Sequence, residues 1–210
     1  MTQIVHSEKV FFMKRLLLIL ILMFSFQTLT KADDIRDFQI EGISIGDSLL
    51  NYHSKEIIKG YTRDDIKGMF SIASIPSSDF KGSLSEKKYE DYDSIDFYFK
   101  TTDKKFKIQA IGAIIFFPNK LKKCKIKKNE IVKSLEDAMD IKFLTGKLPH
   151  QLDKSGKSIQ YQSVKLYKNR SNIRVECYYW TKKMQKKYSV KNLLQVSLIS
   201  SEVQKWVDGG

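Results

Sequence analysis

The run from Ser94 to Ala110 constrains the fold most. Ile95, Phe97 and Phe99 alternate with Asp96, Tyr98 and Lys100. After the polar turn Thr102–Lys105, Phe106, Ile108 and Ala110 alternate with Lys107 and Gln109. A period of two places successive side chains on opposite faces of a strand, so two such runs across a short turn predict an antiparallel hairpin. Beyond Gly112 both faces turn apolar in Ala113–Phe117, as in a central strand with a glycine bulge; Pro118 and Asn119 end it. A sheet with one apolar face needs a second layer over it. Ile131, Val132, Leu135, Met139 and Phe143 recur at helical spacing and supply one, with Asn129 as the expected cap and Gly146 as the expected stop.

The rest of the chain extends this plan. Phe38, Ile40, Ile43 and Ile45 read as a short strand interrupted at Glu41-Gly42. Asp47 or Ser48 then caps a helix with Leu49, Leu50, His53 and Ile57 on its apolar face, ended by Gly60. Residues 60–94 read as loop-rich, with a turn cluster at Ser74–Ser83 and a short helix expected between Asp64 and Phe70. Val164 and Leu166 open a hairpin through Lys168–Asn172, and the return strand carries Ile173, Val175, Cys177 and Tyr179 on one face. Asn192–Ser200 is a further strand. Ser201-Glu202-Val203-Gln204 has capping-box spacing for a short helix bearing Trp206. The expected class is α+β: a mainly antiparallel sheet of about five strands with one long helix packed on it.

The N-terminal stretch is read apart from this body. Lys14 and Arg15 precede an apolar run, Leu16–Phe26, broken only by Ser25, and Thr30-Lys31-Ala32 offers a small-residue cleavage site before Asp33. That order is the build of a secretory signal peptide. The run is short for a spanning helix, which needs about 20 apolar residues; an uncleaved signal anchor is the alternative. A start at Met13 would give a compact export signal, so residues 1–12 are read as an upstream extension. Residues 1–32 are set aside, and 33–210 form one expected domain, 178 of the 210 residues. No cysteine precedes Cys124, so there is no lipoprotein anchor site.

Export governs how the charge is read. The chain carries 37 Lys+Arg against 24 Asp+Glu. Without Lys9, Lys14, Arg15, Lys31 and Glu8 the balance is 33 against 23. In an exported protein this excludes nucleic acid as the ordinary partner and points to anionic lipid head groups or envelope polymers. Lys120, Lys122, Lys123, Lys125, Lys127 and Lys128 form one run, and Lys182, Lys183, Lys186 and Lys187 another. Together they make a candidate anionic-surface patch; the plainer reading is two solvated connections. Cys124 and Cys177 are the only cysteines, and two cysteines in an oxidising compartment are expected to pair.

Other candidate chemistry is thin. Gly42-Ile43-Ser44-Ile45-Gly46 matches the G-x-S-x-G of a serine-hydrolase elbow. The motif lies about ten residues into the mature chain, without room for the parallel strands that flank an elbow. Only His53 and His150 remain as bases. Ser44 is therefore expected at a strand-to-helix turn, with hydrolase as the alternative. Glu90–Asp96 is acidic but lacks the glycine and terminal glutamate of a calcium loop, and no Cys/His pair has metal-ligand spacing. No catalytic residue, metal or cofactor is implied. Tyr178 and Trp180 lie opposite Cys177 in phase, as an outward ligand surface or covered by a second helix or by the 60–94 segment.

Phe38–Tyr52, "FQIEGISIGDSLLNY", resembles the mature N-terminus of small exported bacterial proteins with no assigned activity, and "SSEVQKWVDG" fits the same group. A looser similarity is to small envelope-assembly proteins that open with G-x-S/T before a helix. The resemblance implies export and supplies no functional residue. The expected function is a periplasmic or envelope binding or scaffolding protein, not an enzyme.

Overall fold

Two left-handed residues turn the first apolar run back on itself. Glu41 and Gly42 have φ of 55° and 78°, the positive pair that a two-residue hairpin loop requires. In the computed structural model, which describes residues 34–64, 68–79, 92–118 and 120–209, β1 (Gln39–Ile40) and β2 (Ile43–Ser44) therefore pair antiparallel instead of forming one interrupted strand. The expected helix after Ser48 also divides. Ser48 caps a single 3-10 turn, Leu49–Asn51, and Ser54 caps α1 (Lys55–Gly60). Each cap accepts a backbone N–H that the first turn leaves unpaired.

An eight-stranded antiparallel sheet follows, in the order β3-β4-β5-β6-β10-β9-β8-β7. Its strands are β3 (Thr62–Asp64), β4 (Phe70–Pro76), β5 (Ser94–Lys100), β6 (Ala110–Phe116), β7 (Leu144–Pro149), β8 (Ile159–Leu166), β9 (Asn172–Tyr179) and β10 (Leu193–Ile199). The helices are α1, α2 (Leu121–Met139), α3 (Lys182–Tyr188) and α4 (Ser201–Val207). The α+β class stands, but the sheet has eight strands, not about five, and the one long helix, α2, has three short companions. These elements lie in one unit, Ala32–Gly210.

The register sorts the sheet into two unlike faces. On one, Ile95, Phe97, Phe99, Ile111, Ala113, Leu194, Val196, Ile173, Val175 and Cys177 are buried. This face carries α2, whose Ile131, Val132, Leu135 and Met139 pack against that core beside the buried Ile43, Leu49 and Ile58. Burying one such side chain contributes about 1.5–3 kcal/mol. The other face is polar at its centre: Asp96, Gly112, Ser197 and Arg174 share one row, Gln195, Glu176 and Gln162 the next. Towards one end of that face, Val203 and Trp206 of α4 cover Phe70, with the Phe70 and Trp206 rings 5.5 Å apart.

Several expectations change for local reasons. Asn129 does not cap α2; the helix starts eight residues earlier, at Leu121, and Asn129 is exposed on it. Its first turns bury Cys124 and Lys128 instead of aliphatic residues, so the apolar period is absent there. Asp140, in the left-handed region at φ 49°, ends the helix, and Gly146 lies in β7. Residues 60–94 hold two strands. β4 is buried on both faces through Ser71 and Ala73 as well as Phe70, Ile72 and Ile75, and these small residues hide the alternation. β3 runs to Asp64 and β4 starts at Phe70, which leaves no described helix between them; residues 65–67 and 80–91 lie outside the described set. Gly112 makes no bulge. It pairs in register with Asp96 and Ser197, and a Cβ there would meet the side-chain amide of Gln195.

Candidate functional site

Cys124 and Cys177 are bonded, with Cα atoms 6.1 Å apart and a separation of 53 in sequence. The bond ties the first turn of α2 to β9, inside the sheet. Both residues are buried, at 2% and 0% exposed.

The same sheet end gathers the lysines. Leu193, the first residue of β10, pairs with Phe116 at the end of β6 and with Tyr178 near the end of β9. Ile159, which opens β8, pairs with Tyr179 and with Pro149, the last residue of β7. So the start of α2, the whole of α3 and the connections 150–158 and 189–192 all leave the sheet at one end. Lys120, Lys122, Lys123, Lys154, Lys157, Lys182, Lys183, Lys186, Lys187 and Lys191 are exposed there. Lys127 is exposed one turn further along α2. Lys154, Lys157 and Lys191 fall outside the two runs, because only the strand pairing brings their loops to this end.

Lys128 does not belong to the surface. It is 3% exposed, and its Nζ donates to Ser163 Oγ at 2.6 Å, with Thr145 Oγ1 2.8 Å from that hydroxyl. Cys124 and Lys128 are four residues apart, so both point from one helical face into the sheet. Burial, with the charge of Lys125, lowers the Lys128 pKa. Two carboxylates at the lysine-bearing end are held locally. Asp93 Oδ2 accepts the Phe116 N–H at 2.6 Å. Asp153 accepts from both the hydroxyls and the N–H groups of Ser155 and Ser158, which hold its carboxyl far below the usual range.

Tyr178 and Trp180 stack with rings 6.4 Å apart and a 12° interplanar angle, and His150 lies 3.9 Å from the Trp180 ring. Trp180 is only 6% exposed, so the pair is part of the interior and not an open platform. Burial lowers the pKa of His150, against the opposing charge of Asp153, and lowers that of His53 beside Phe97. A histidine depressed in the folded state contributes its full stability above the unfolded value near 6.5 and loses it as pH falls towards the folded value. The thermal midpoint should therefore fall between pH 7 and pH 5, and His53→Gln should flatten that fall. An identical slope in the variant would exclude His53 as the cause.

The remaining candidates do not assemble catalytic groups. Ser44 ends a two-residue antiparallel strand, and its N–H donates to Asp47 Oδ2 at 2.9 Å. The parallel strands of an elbow are missing among the described residues. Of the acidic stretch, Glu90 and Asp91 lie outside the described residues, and Asp96 is buried with its pKa raised by desolvation. Glu176, 2% exposed, accepts from Gln160 Nε2 at 2.6 Å and from the Tyr178 hydroxyl at 2.8 Å. Asp96 and Glu176 share a face but stand on β5 and β9, three strand spacings or about 14 Å apart. That exceeds the roughly 5–9.5 Å over which paired carboxylates cleave a glycoside. A shallow cleft of about 380 Å³ lies on the same face between β7 and α4, where Arg174 donates to Asn172 and Gln204, and Arg170 pairs with Asp208. Among the described residues no three His, Cys, Asp or Glu side chains could hold a metal ion, and no helix is long and apolar enough to cross a membrane. Residues 1–32, with Leu16–Phe26, lie outside that set.

Compared with known proteins, the chain matches no family model, no curated protein and no solved structure.

Proposed function

We propose that this is an exported envelope protein that acts by binding, and that its lysine-bearing sheet end docks on an anionic membrane surface. The observation that carries the reading is the convergence of ten exposed lysines on one end of the sheet. Export accounts for the order of charged, apolar and small residues from Lys14 to Ala32, and a buried disulfide is at home in an oxidising compartment. The signal is removed before Asp33. Protein from a periplasmic extract should have an intact mass lacking residues 1–32; a full-length mass in the membrane fraction overturns cleavage.

Docking is read with vesicles containing phosphatidylglycerol. Lysines near such a surface contribute about 1 kcal/mol each. Lys122, Lys123, Lys186 and Lys187 are exposed and sit on both helices of the end, so changing all four to Gln should weaken binding by roughly two to three orders of magnitude at low salt. The thermal midpoint should not move, since these side chains hold little of the core. Binding should also collapse as salt shortens the Debye length to about 3 Å near 1 M. Binding that survives the four changes, or equal binding to neutral vesicles, overturns the reading. Retention by an anionic wall polymer without vesicle binding moves the partner from lipid to polymer.

A further inference from the structure

The two edges of the sheet are not alike. β3 is three residues long and presents Arg63 and Asp64, the short charged edge that blocks pairing with another chain. β7 is six residues long, has one charge, Lys147, and carries its only proline at the last position. Among the described residues it ladders with β8 on one side only, and five of its six residues are exposed. Leu144 is 79% and Leu148 46% exposed. An uncovered strand of this kind is a template for a further strand.

We propose that β7 pairs with β7 of a second copy of this chain, antiparallel about a two-fold axis at Gly146, to give a continuous sixteen-stranded sheet. The sequence of the strand is self-complementary in that register. Gly146 faces Gly146, Leu144 faces Leu148 of the other copy, and Thr145 faces Lys147. In the β7·β8 register Leu144 lies beside Val164 and Leu148 beside Gln160, so each new Leu–Leu pair has Val164 on one flank and the Gln160 of the other copy on the other. Directly opposed apolar pairs are what stabilise adjacent strands. Lys147 does not obstruct the approach: its Nζ lies 5.8 Å from the centre of its own Tyr161 ring, turned back over β8. A two-fold contact of this kind is isologous and closes at the dimer. The occupant is a second copy because the strand's own reversed sequence sets a leucine opposite each leucine and a glycine opposite the glycine. Six residues span about 20 Å, and the contact buries roughly 500 Å² per copy, below the ~800 Å² of a standard interface. The dimer is therefore concentration-dependent.

The register makes the test specific. A Cβ at position 146 would meet only Gln162 Nε2, at 4.0 Å, so Gly146→Cys fits the fold. In the proposed pairing the two 146 Cα atoms are about 4.5–5.5 Å apart, within disulfide range. The two 145 Cα atoms are roughly 8 Å apart, outside it. With oxidised glutathione as the two-electron acceptor, the Gly146→Cys protein should form a covalent dimer and Thr145→Cys should not. Sedimentation velocity on the unmodified protein should show a monomer–dimer equilibrium. Leu144→Lys with Leu148→Lys should raise its dissociation constant by at least about 10-fold by setting like charges opposite each other, with the thermal midpoint unchanged. Equal cross-linking at 145 and 146 overturns the register. A monomer at every concentration overturns the second copy as occupant and leaves the edge to an extended segment of another protein.

Discussion

The Cys124→Ala/Cys177→Ala variant unfolds with about 4 kcal/mol less free energy than the parent. The magnitude follows from the 53-residue separation that the bond closes, since cross-linking removes that loop's freedom from the unfolded chain. For a domain of this size the loss lowers the midpoint by roughly 8–16 °C. Because both cysteines are buried, a reductant should act on the folded protein only as fast as it opens. Urea unfolding of parent and variant at equal pH measures the difference. A loss under about 1 kcal/mol would mean that α2 is held by packing alone and that the bond constrains little.

Phe97→Ala should lower stability by about 3–5 kcal/mol, comparable to loss of the disulfide. Phe97 is fully buried and stands between Ala73 of β4 and Ile111 of β6. Those neighbours are short or anchored in their own strands, so the space left by the ring cannot close well. Leu144→Ala is the matched control: exposed on the β7 edge, it should change stability by less than about 0.5 kcal/mol in dilute solution. Similar losses at both positions would contradict the division of the sheet into a core and a free edge.

Residues that obey one period were legible in the sequence; residues that serve two masters were not. β5 reads correctly because Ile95, Phe97 and Phe99 face the core while Tyr98 and Lys100 do not. β4 was hidden because it is buried on both faces and fills the tighter one with Ser71 and Ala73. α2 was half seen: Ile131 to Met139 show its period, whereas the turns before them bury a disulfide and a lysine. The pairing of Cys124 with Cys177 follows from their being the only two cysteines and from the inward phase of Cys177. Lys128 reads as a surface lysine because sequence distance cannot tell a lysine facing Ser163 from one facing water. The lysine-bearing end was legible only in part, since Lys154, Lys157 and Lys191 reach it through strand pairing between distant segments.

β10 lies between β6 and β9, at the middle of the sheet order. Everything before it forms two separate half-sheets, β3 to β6 and β7 to β9, each with a bare inner edge. Neither half can lock to the other until residues 193–199 slot between them. The keystone is thus set late in chain order, and completing the sheet joins Ala110 to Ile199 and Phe116 to Leu193 across most of the domain. Long-range closures of this kind make folding slow, in the millisecond-to-second range of non-local β topologies. A chain that lacks residues 193–199 therefore keeps its two half-sheets unjoined.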